Sequence, residues 1–132
     1  MSFQALLNEI DKGLPSSVYL FYASDPFIHR EALAAIKKIV PETERDFNLH
    51  IFDLLLQGDE KPAFEKIIEL ANTASFFGGR RFTIVEGNFQ KLLKKDIERL
   101  NAYLINPSEN SVLVLLHKGT LTKDTREKFK SL

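Results

Sequence analysis

The stretch Val18-Tyr19-Leu20-Phe21-Tyr22, followed by Asp25-Pro26, decides the fold class of this chain. Five apolar or aromatic residues in a row are typical of a strand covered on both faces, because a half-buried strand would alternate apolar and polar residues. Asp at the N-cap and Pro at the first helical position then predict that a helix begins directly after this strand. A buried strand that runs straight into a helix is the unit from which parallel α/β sheets are built.

The same alternation of strand and helix extends over the rest of the chain. The predicted helices have apolar residues at helical spacing: Phe3, Leu6, Leu7 and Ile10; Ile28, Ala32, Ala35, Ile36 and Ile39; Phe64, Ile67, Ile68 and Ala71; Leu93, Ile97, Leu100 and Leu104; and a surface helix from Thr122 onward. The other predicted strands are Phe47–Leu54, Phe82–Val85 and Val112–Leu116. Polar Asn48 and His50 in the first of these indicate a sheet edge. Strands alternating with helices predict a largely parallel sheet with helices on both faces.

Composition excludes several classes of function. The chain has 132 residues, 44% of them hydrophobic, which predicts one folded domain. Eighteen basic residues balance eighteen acidic ones, so a general affinity for nucleic acid or anionic membranes is not indicated. The absence of Cys excludes disulfides and thiolate metal sites and agrees with a reducing cytoplasm. No apolar run approaches the roughly 20 residues of a membrane-spanning helix.

The loop after the first strand lacks the residues that bind phosphate. A phosphate-binding loop needs glycines for close backbone approach and a Lys-Ser/Thr pair for phosphate and magnesium. Residues 23–30 contain neither, and Asp25 and Glu31 would repel a triphosphate. The sequence therefore predicts no bound nucleotide and no cofactor.

The three histidines and a lysine cluster each allow a structural and a functional interpretation. We interpret His29 as a helix-surface residue, and the three histidines show no spacing for a shared metal site. An α/β enzyme or nucleotide-binding protein remains the alternative function, with a site at the strand carboxyl ends. It requires four residues to converge on one pocket: Asp25, His29, Asp53 and His117. The basic cluster of Lys91, Lys94 and Lys95 is interpreted as a solvated face, with nucleic-acid contact as the alternative.

Residues 75–81, Ser-Phe-Phe-Gly-Gly-Arg-Arg, carry the strongest functional signal. Two adjacent phenylalanines before two glycines cannot both face one core, because the glycines break the preceding periodicity. We predict that the pair is exposed and enters a pocket on another protein, while the arginines pair with acidic groups at its border. The predicted site is Phe76 and Phe77, with Ser75, Gly78 and Arg80 as its rim. The alternative is a scaffold domain in which both rings belong to the core.

The order of the motifs resembles a known family. The motifs are Leu14-Pro15, Val18–Tyr22, Asp25-Pro26-Phe27-Ile28, Ser75–Arg81, Val85-Glu86-Gly87, Leu92–Asp96, Asn106-Pro107 and Val112–Leu115. Together they resemble the N-terminal domain of the delta subunit of bacterial DNA polymerase III, a clamp-loader subunit, over essentially the whole chain. The resemblance implies a three-layer RecA-like, AAA+-like α/β domain over residues 1–132, with a degenerate nucleotide site. It also implies that a fifth strand, a lid domain and a collar domain follow Leu132.

The resemblance further implies a function without catalysis. In this family an apolar pair, more often beginning with Leu than with Phe, inserts into the ring-shaped sliding clamp, and this pair maps to Phe76 and Phe77. The implied role is to bind the clamp and help open it for loading onto DNA during replication. The implied partners are the clamp (beta subunit), other clamp-loader subunits through the missing C-terminal region, and primed DNA indirectly. The implied location is the bacterial cytoplasm, with no membrane contact, and polymerase activity belongs to the parent holoenzyme.

Overall fold

The computed structural model describes residues 1–73 and 79–124 of the chain. The helices and strands, in chain order, are α1 (Phe3–Asp11), β1 (Val18–Ala23), α2 (Pro26–Lys37), α3 (Arg45–Asn48), β2 (Leu49–Asp53), α4 (Phe64–Ala71), β3 (Arg81–Gly87), α5 (Lys94–Ile105) and β4 (Ser111–Lys118). Short 3-10 turns occupy Glu42–Glu44, Gly58–Glu60 and Phe89–Lys91. The prediction of a helix from Thr122 falls mainly on residues 125–132, which lie outside the described residues.

The four strands form one sheet in the order β1-β4-β3-β2, and each neighbouring pair is parallel. One face packs against α1 and α2 through a cluster that includes Leu6, Phe21, Ile36, Ile84 and Val114. The other face packs against α4 and α5 through a cluster that includes Ile67, Val85, Leu100, Leu113 and Leu115. Helices on both faces of a parallel sheet confirm the predicted three-layer α/β architecture.

The strands at the two edges of the sheet agree with the sequence. Val18–Tyr22 was expected to be covered on both faces, and β1 contacts both core clusters: Tyr19 and Phe21 belong to the cluster under α1 and α2, and Val18 and Leu20 pack against the cluster under α4 and α5. The coverage is uneven, because Tyr19 and Phe21 are buried whereas Leu20 is half-buried. β1 lies at one edge of the sheet and β2 at the other, as the alternation of β2 with polar residues predicted.

Two predicted element boundaries were wrong. Phe47 was assigned to the second strand, but it lies in the helical turn Arg45–Asn48, 47% exposed, and β2 begins only at Leu49. The Arg45 Nε donates a hydrogen bond to the Val40 carbonyl at 3.0 Å, which holds this turn against the end of the preceding segment. Leu93 was assigned to the fourth predicted helix, but it is the N-cap residue of α5 and is 61% exposed. Periodicity identifies an element but locates its ends poorly.

The C-terminus of α1 has the geometry of a Schellman motif. The Gly13 N–H donates to the Ile10 carbonyl and the Leu14 N–H to the Glu9 carbonyl, each at 2.8 Å. Both residues have positive φ, +80° at Gly13 and +53° at Leu14, and the Leu14 side chain is fully buried. A left-handed leucine is strained, and its burial in the core offsets that strain. The turn therefore fixes how the chain leaves α1 and enters β1.

Close packing at the carboxyl end of β3 gives the first prediction. A Cβ atom at Gly87 would lie 2.8 Å from the Leu54 Cβ, where the Leu54 N–H donates to the Glu86 carbonyl at 2.8 Å. We expect Gly87→Ala to lower the free energy of unfolding by about 1–3 kcal/mol, because the backbone must shift to admit the methyl group. Chemical denaturation measures the loss. In a Leu54→Gly background the same substitution should cost less, and an equal cost in both backgrounds would contradict the explanation.

Candidate functional site

The predicted protein-binding pair lies between α4 and β3 in the sequence. Ser75, Phe76, Phe77 and Gly78 lie outside the described residues, so their exposure stays a prediction. The flanking structure is clear: α4 ends at Ala71 and β3 begins at Arg81. The predicted site thus follows the C-terminus of α4 in sequence and precedes the amino end of a central strand.

Arg80, the predicted rim residue, contacts the α1–β1 turn. Its Nη1 donates a hydrogen bond to the Gly13 carbonyl at 3.1 Å, and its Nη2 donates to the Ser16 carbonyl at 3.2 Å. The Cζ atom lies 5.7 Å from the centroid of the Phe82 ring, within the range of a cation–π interaction. Two guanidinium donors are therefore engaged within the domain, and contact between Arg80 and a partner stays a prediction.

Arg81 behaves differently from its neighbour. Its side chain is 6% exposed at the start of β3, whereas the sequence suggested that both arginines border a partner's pocket. That expectation was wrong for Arg81, because this residue is the first of the central strand β3, whereas Arg80 precedes the strand.

In the loop after β1, the N-terminus of α2 is capped by a carboxylate of the chain itself. The Asp25 Oδ1 accepts a hydrogen bond from the Phe27 N–H at 2.9 Å, and Pro26 occupies the first turn of α2. In phosphate-binding loops the free N–H groups of such a helix bind the anion. Here a carboxylate of the chain itself occupies that position, in agreement with the predicted degenerate nucleotide site.

His29 is buried, so the prediction of a helix-surface residue was wrong. It is 3% exposed, and its Nε2 lies 2.6 Å from the Ala23 carbonyl oxygen, to which it donates. Its ring packs edge-on against Phe21 with centroids 5.7 Å apart. The buried residues of α2 are His29, Ala32 and Ile36, whose spacing of three and four is the signal that could have located the histidine.

His117 is fully buried near the carboxyl end of β4. Its Nδ1 accepts a hydrogen bond from the Phe89 N–H at 3.1 Å, and the two rings lie 6.0 Å apart. Burial lowers the pKa of His117 below its usual value; the nearby Thr120 backbone opposes this, and the nearby His29 adds to it. Protonation at Nδ1 would break the bond that holds the start of the β3–α5 connection.

The four residues required by the enzyme alternative do not converge on one pocket. Asp53 ends β2, three strand spacings, or about 14 Å, from β1. Its Oδ1 accepts from the Leu55 N–H at 2.8 Å, and the Asp25 carboxylate caps α2. Within residues 1–73 and 79–124, no group of three or more His, Cys, Asp and Glu side chains is placed to hold a metal ion. The geometry gives the alternative no support.

A groove opens where the β2–α4 and β3–α5 connections leave the carboxyl ends of their strands. This carboxyl-edge groove encloses about 630 Å³ and is lined by residues 54–58, 61–65, 88, 91–93, 95, 96 and 99. Among its lining residues Leu55, Leu56 and Leu93 are exposed apolar side chains. The N-termini of α4 and α5 both open into it, and neither has a side-chain cap.

Only some of the charged side chains that line the carboxyl-edge groove form ion pairs. Arg99 binds both acidic residues of the groove, at 2.9 Å from the Asp96 Oδ1 and 3.7 Å from the Glu65 Oε2. Lys61, Lys91 and Lys95 are exposed and form no ion pair with any residue that the structure describes. The positive ends of two helix dipoles add to their field. The side chains that line the groove thus include four cations and two anions, although the chain as a whole has no net charge.

Comparison with known proteins identifies relatives of the fold and of the sequence. Residues 19–132 match the family model described as DNA polymerase III, delta subunit. The fold is similar to the DNA clamp loader delta protein of Bacillus subtilis, with 27% identity and a TM-score of 0.80 over 99% of this chain and 40% of that one. It also resembles a DNA polymerase III gamma subunit-related protein of Thermotoga maritima, with 18% identity and a TM-score of 0.63 over 99% of this chain and 43% of that one.

The solved structures that match are considerably longer than this chain. The chain spans about two fifths of the length of the solved structures it matches. A search of curated proteins found no match. Among the described helices, none has the length and apolar character needed to cross a membrane.

The environment of His117 predicts how stability depends on pH. Because burial holds the folded-state pKa below the usual value of 6.5, neutral His117 contributes stability that is complete above about pH 6.5. That contribution is lost as the pH falls through the lowered pKa. We expect His117→Asn, whose Oδ1 also accepts from the Phe89 N–H but does not titrate, to lose less stability between pH 7.5 and 5 than the parent.

Denaturant midpoints at each pH measure this difference. His50→Asn is the matched control, because His50 lies on the edge strand β2 and bonds only locally to the Phe47 carbonyl. If the His117 and His50 variants lose stability equally with acidification, burial of His117 is not the cause.

Proposed function

Because the chain belongs to the DNA polymerase III delta subunit family, we propose that it is the clamp-binding domain of a clamp-loader subunit. The observation that carries the proposal is the family match over residues 19–132. The similarity to the Bacillus subtilis DNA clamp loader delta protein, over 99% of this chain, supports it. The proposed partners are the sliding clamp and, through segments outside this chain, other clamp-loader subunits in the bacterial cytoplasm.

The proposed contact with the clamp is made by Phe76 and Phe77. Burying one exposed phenylalanine contributes roughly 1.5–3 kcal/mol, so the pair supplies about 3–6 kcal/mol. That corresponds to about a hundredfold to ten-thousandfold in affinity. Two aromatic rings are therefore sufficient to dominate a small interface, as hot spots do in other complexes. Ser75, Gly78 and Arg80 form the proposed rim.

The proposed effect on the clamp is a shift of its opening equilibrium. A ligand changes a conformational equilibrium only if it binds one state more tightly than the other. The phenylalanine pair is proposed to bind an open or distorted ring better than the closed one. The proposed domain uses no ATP itself, in keeping with the Asp25 carboxylate at the N-terminus of α2.

A second proposal concerns the carboxyl-edge groove. Lys61 and Lys91 come from two separate connections, yet they line one groove with Lys95 and with the N-termini of α4 and α5. This convergence favours nucleic-acid contact over the solvated-face interpretation of the lysine cluster. Unpaired ammonium groups and helix N-termini are the groups that bind backbone phosphates. In the assembled loader we propose that the groove contacts DNA phosphates without reading sequence.

Substitution of the pair tests the clamp-binding proposal. We expect the double variant Phe76→Ala, Phe77→Ala to weaken binding to the sliding clamp by at least about a hundredfold, because both buried rings are lost. Calorimetry or surface plasmon resonance measures the affinity, and circular dichroism checks the fold. Phe27→Ala is the control, since Phe27 is 54% exposed at the start of α2 and should be dispensable. Clamp binding as tight as the parent's in the folded double variant would falsify the proposal.

Salt dependence tests the DNA proposal. In the complete clamp loader, Lys91→Gln with Lys95→Gln should reduce the slope of log affinity against log salt by about 2, since each phosphate contact contributes about 0.9. Lys37→Gln with Lys38→Gln, at the C-terminal end of α2, is the matched control. An unchanged slope for the groove variant would contradict the DNA proposal and favour the interpretation of the lysines as a solvated face.

A further inference from the structure

We propose that a second cavity at the carboxyl ends of the strands binds a small organic anion that also has a hydroxyl group. This β1–β4 cavity encloses about 390 Å³, and its lining includes Ser24, His29, Arg30, Glu86, Lys118 and Gly119. It shares no lining residue with the carboxyl-edge groove. Its volume is within the range of about 300–1,000 Å³ that is typical of small-ligand sites. The inference does not depend on clamp binding.

The sheet topology places the β1–β4 cavity where α/β folds bind ligands. After β1 the chain continues into α2 on one face of the sheet, whereas α4 and α5, which follow β2 and β3, pack on the other face. The connections that leave the strands therefore diverge beside β1, and the crevice at such a point is the usual ligand site of an open parallel sheet. The cavity lies there, because Ser24 follows β1, Gly119 follows β4 and His29 belongs to α2.

Two buried histidine nitrogens beside the cavity have no hydrogen-bond partner among the described residues. They are the Nδ1 of His29, whose ring lines the cavity, and the Nε2 of His117. The Nε2 lies 3.9 Å from the position that a Cβ atom would take at Gly119, which also lines the cavity. The Thr120 backbone is near His117 but forms no hydrogen bond with this nitrogen. Because an unpaired buried polar atom is costly, both nitrogens favour a bound group that pairs with them.

The tautomers of the two neutral rings make these nitrogens complementary. A carbonyl oxygen only accepts, so the His29 Nε2 that faces the Ala23 carbonyl carries the ring proton and leaves Nδ1 as an acceptor. The His117 Nδ1 accepts from the Phe89 N–H, so the His117 Nε2 carries the proton and is a donor. A hydroxyl group both donates and accepts, and it can therefore pair with both nitrogens. An ammonium group, which only donates, and a carboxylate, which only accepts, cannot.

The charged residues of the cavity favour an anionic group on the same ligand. Arg30 and Lys118 are exposed and form no ion pair with any residue that the structure describes. Glu86 is the one acid among the described lining residues, so two cations face one carboxylate. A guanidinium presents parallel N–H groups to the oxygens of a phosphate or carboxylate. The cavity therefore suits a hydroxylated phosphate or carboxylate, bound away from the N-terminus of α2 that Asp25 caps.

The experiment titrates the full chain with four probes and follows the imidazole NMR signals of His29 and His117. The probes are glycerol 3-phosphate, glycerate, propyl phosphate, which lacks the hydroxyl groups, and glycerol, which lacks the anion. We expect saturable shifts with glycerol 3-phosphate or glycerate, at an affinity at least about tenfold higher than that of propyl phosphate or glycerol. The tighter of the two hydroxylated anions identifies the anionic group as phosphate or carboxylate.

Two controls accompany the titration. The signals of His50 should not shift, because His50 lies on β2 at the far edge of the sheet. Arg30→Gln should stay folded, since Arg30 is exposed on α2, and should bind the hydroxylated anion at least about tenfold more weakly. Lys38→Gln, at the exposed C-cap of the same helix, is the matched variant and should bind like the parent.

Three results would overturn the inference. If neither glycerol 3-phosphate nor glycerate produced a saturable shift, water alone would pair with the two histidine nitrogens. If propyl phosphate bound as tightly as glycerol 3-phosphate, the hydroxyl group would have no role. If Arg30→Gln kept the parental affinity, the anion would not be bound by the cavity. The variant Phe76→Ala, Phe77→Ala is expected to bind the probes like the parent, so the clamp proposal and this inference fail separately.

Discussion

The burial of β4 is the constraint on which the rest of the structure depends. Its residues Ser111–His117 are all buried, β1 and β3 pair with its two edges, and helices cover both its faces. A strand enclosed on four sides must pair every backbone group, because an unpaired buried amide is costly. Parallel pairing on both sides then places all loops that follow strands at one edge of the sheet, and all loops that precede strands at the other.

The functional features of the domain are divided between the carboxyl ends and the amino ends of the strands, called here the carboxyl edge and the amino edge. The carboxyl edge has the loop in which Asp25 caps α2, the two buried histidines and the carboxyl-edge groove. The amino edge has the α1–β1 turn and Arg80, directly after the segment proposed to bind the clamp. Since α4 runs from one edge to the other, its N-terminus lines the groove and its C-terminus leads to that segment. One short helix thus connects the two proposed interaction surfaces.

The residues that sequence patterns predicted well are those whose role is local. The Asp25 cap and Pro26 start α2 where expected, because a cap depends only on the next few residues. The edge position of β2 followed from its polar alternation. His29, Leu93 and Arg81 were misjudged for the opposite reason. His29 packs against Phe21 of the neighbouring strand, and Arg81 starts a strand that is paired on both sides, so their burial is set by tertiary contacts.

The sequence by itself determined the fold class and the lack of phosphate-binding motif residues after the first strand, because hydrophobic periodicity and turn residues are local features of consecutive positions. The family followed from the order of its motifs, which resembles that of the delta subunit family. The sequence also singled out the Phe76–Phe77 pair as the proposed binding element. Only the tertiary structure decided that His29 is buried and that lysines from two connections line one groove. It also decided that Arg80 donates hydrogen bonds to the carbonyls of Gly13 and Ser16. Because such contacts join residues up to 67 positions apart, no local sequence pattern predicts which carbonyl group the guanidinium will contact.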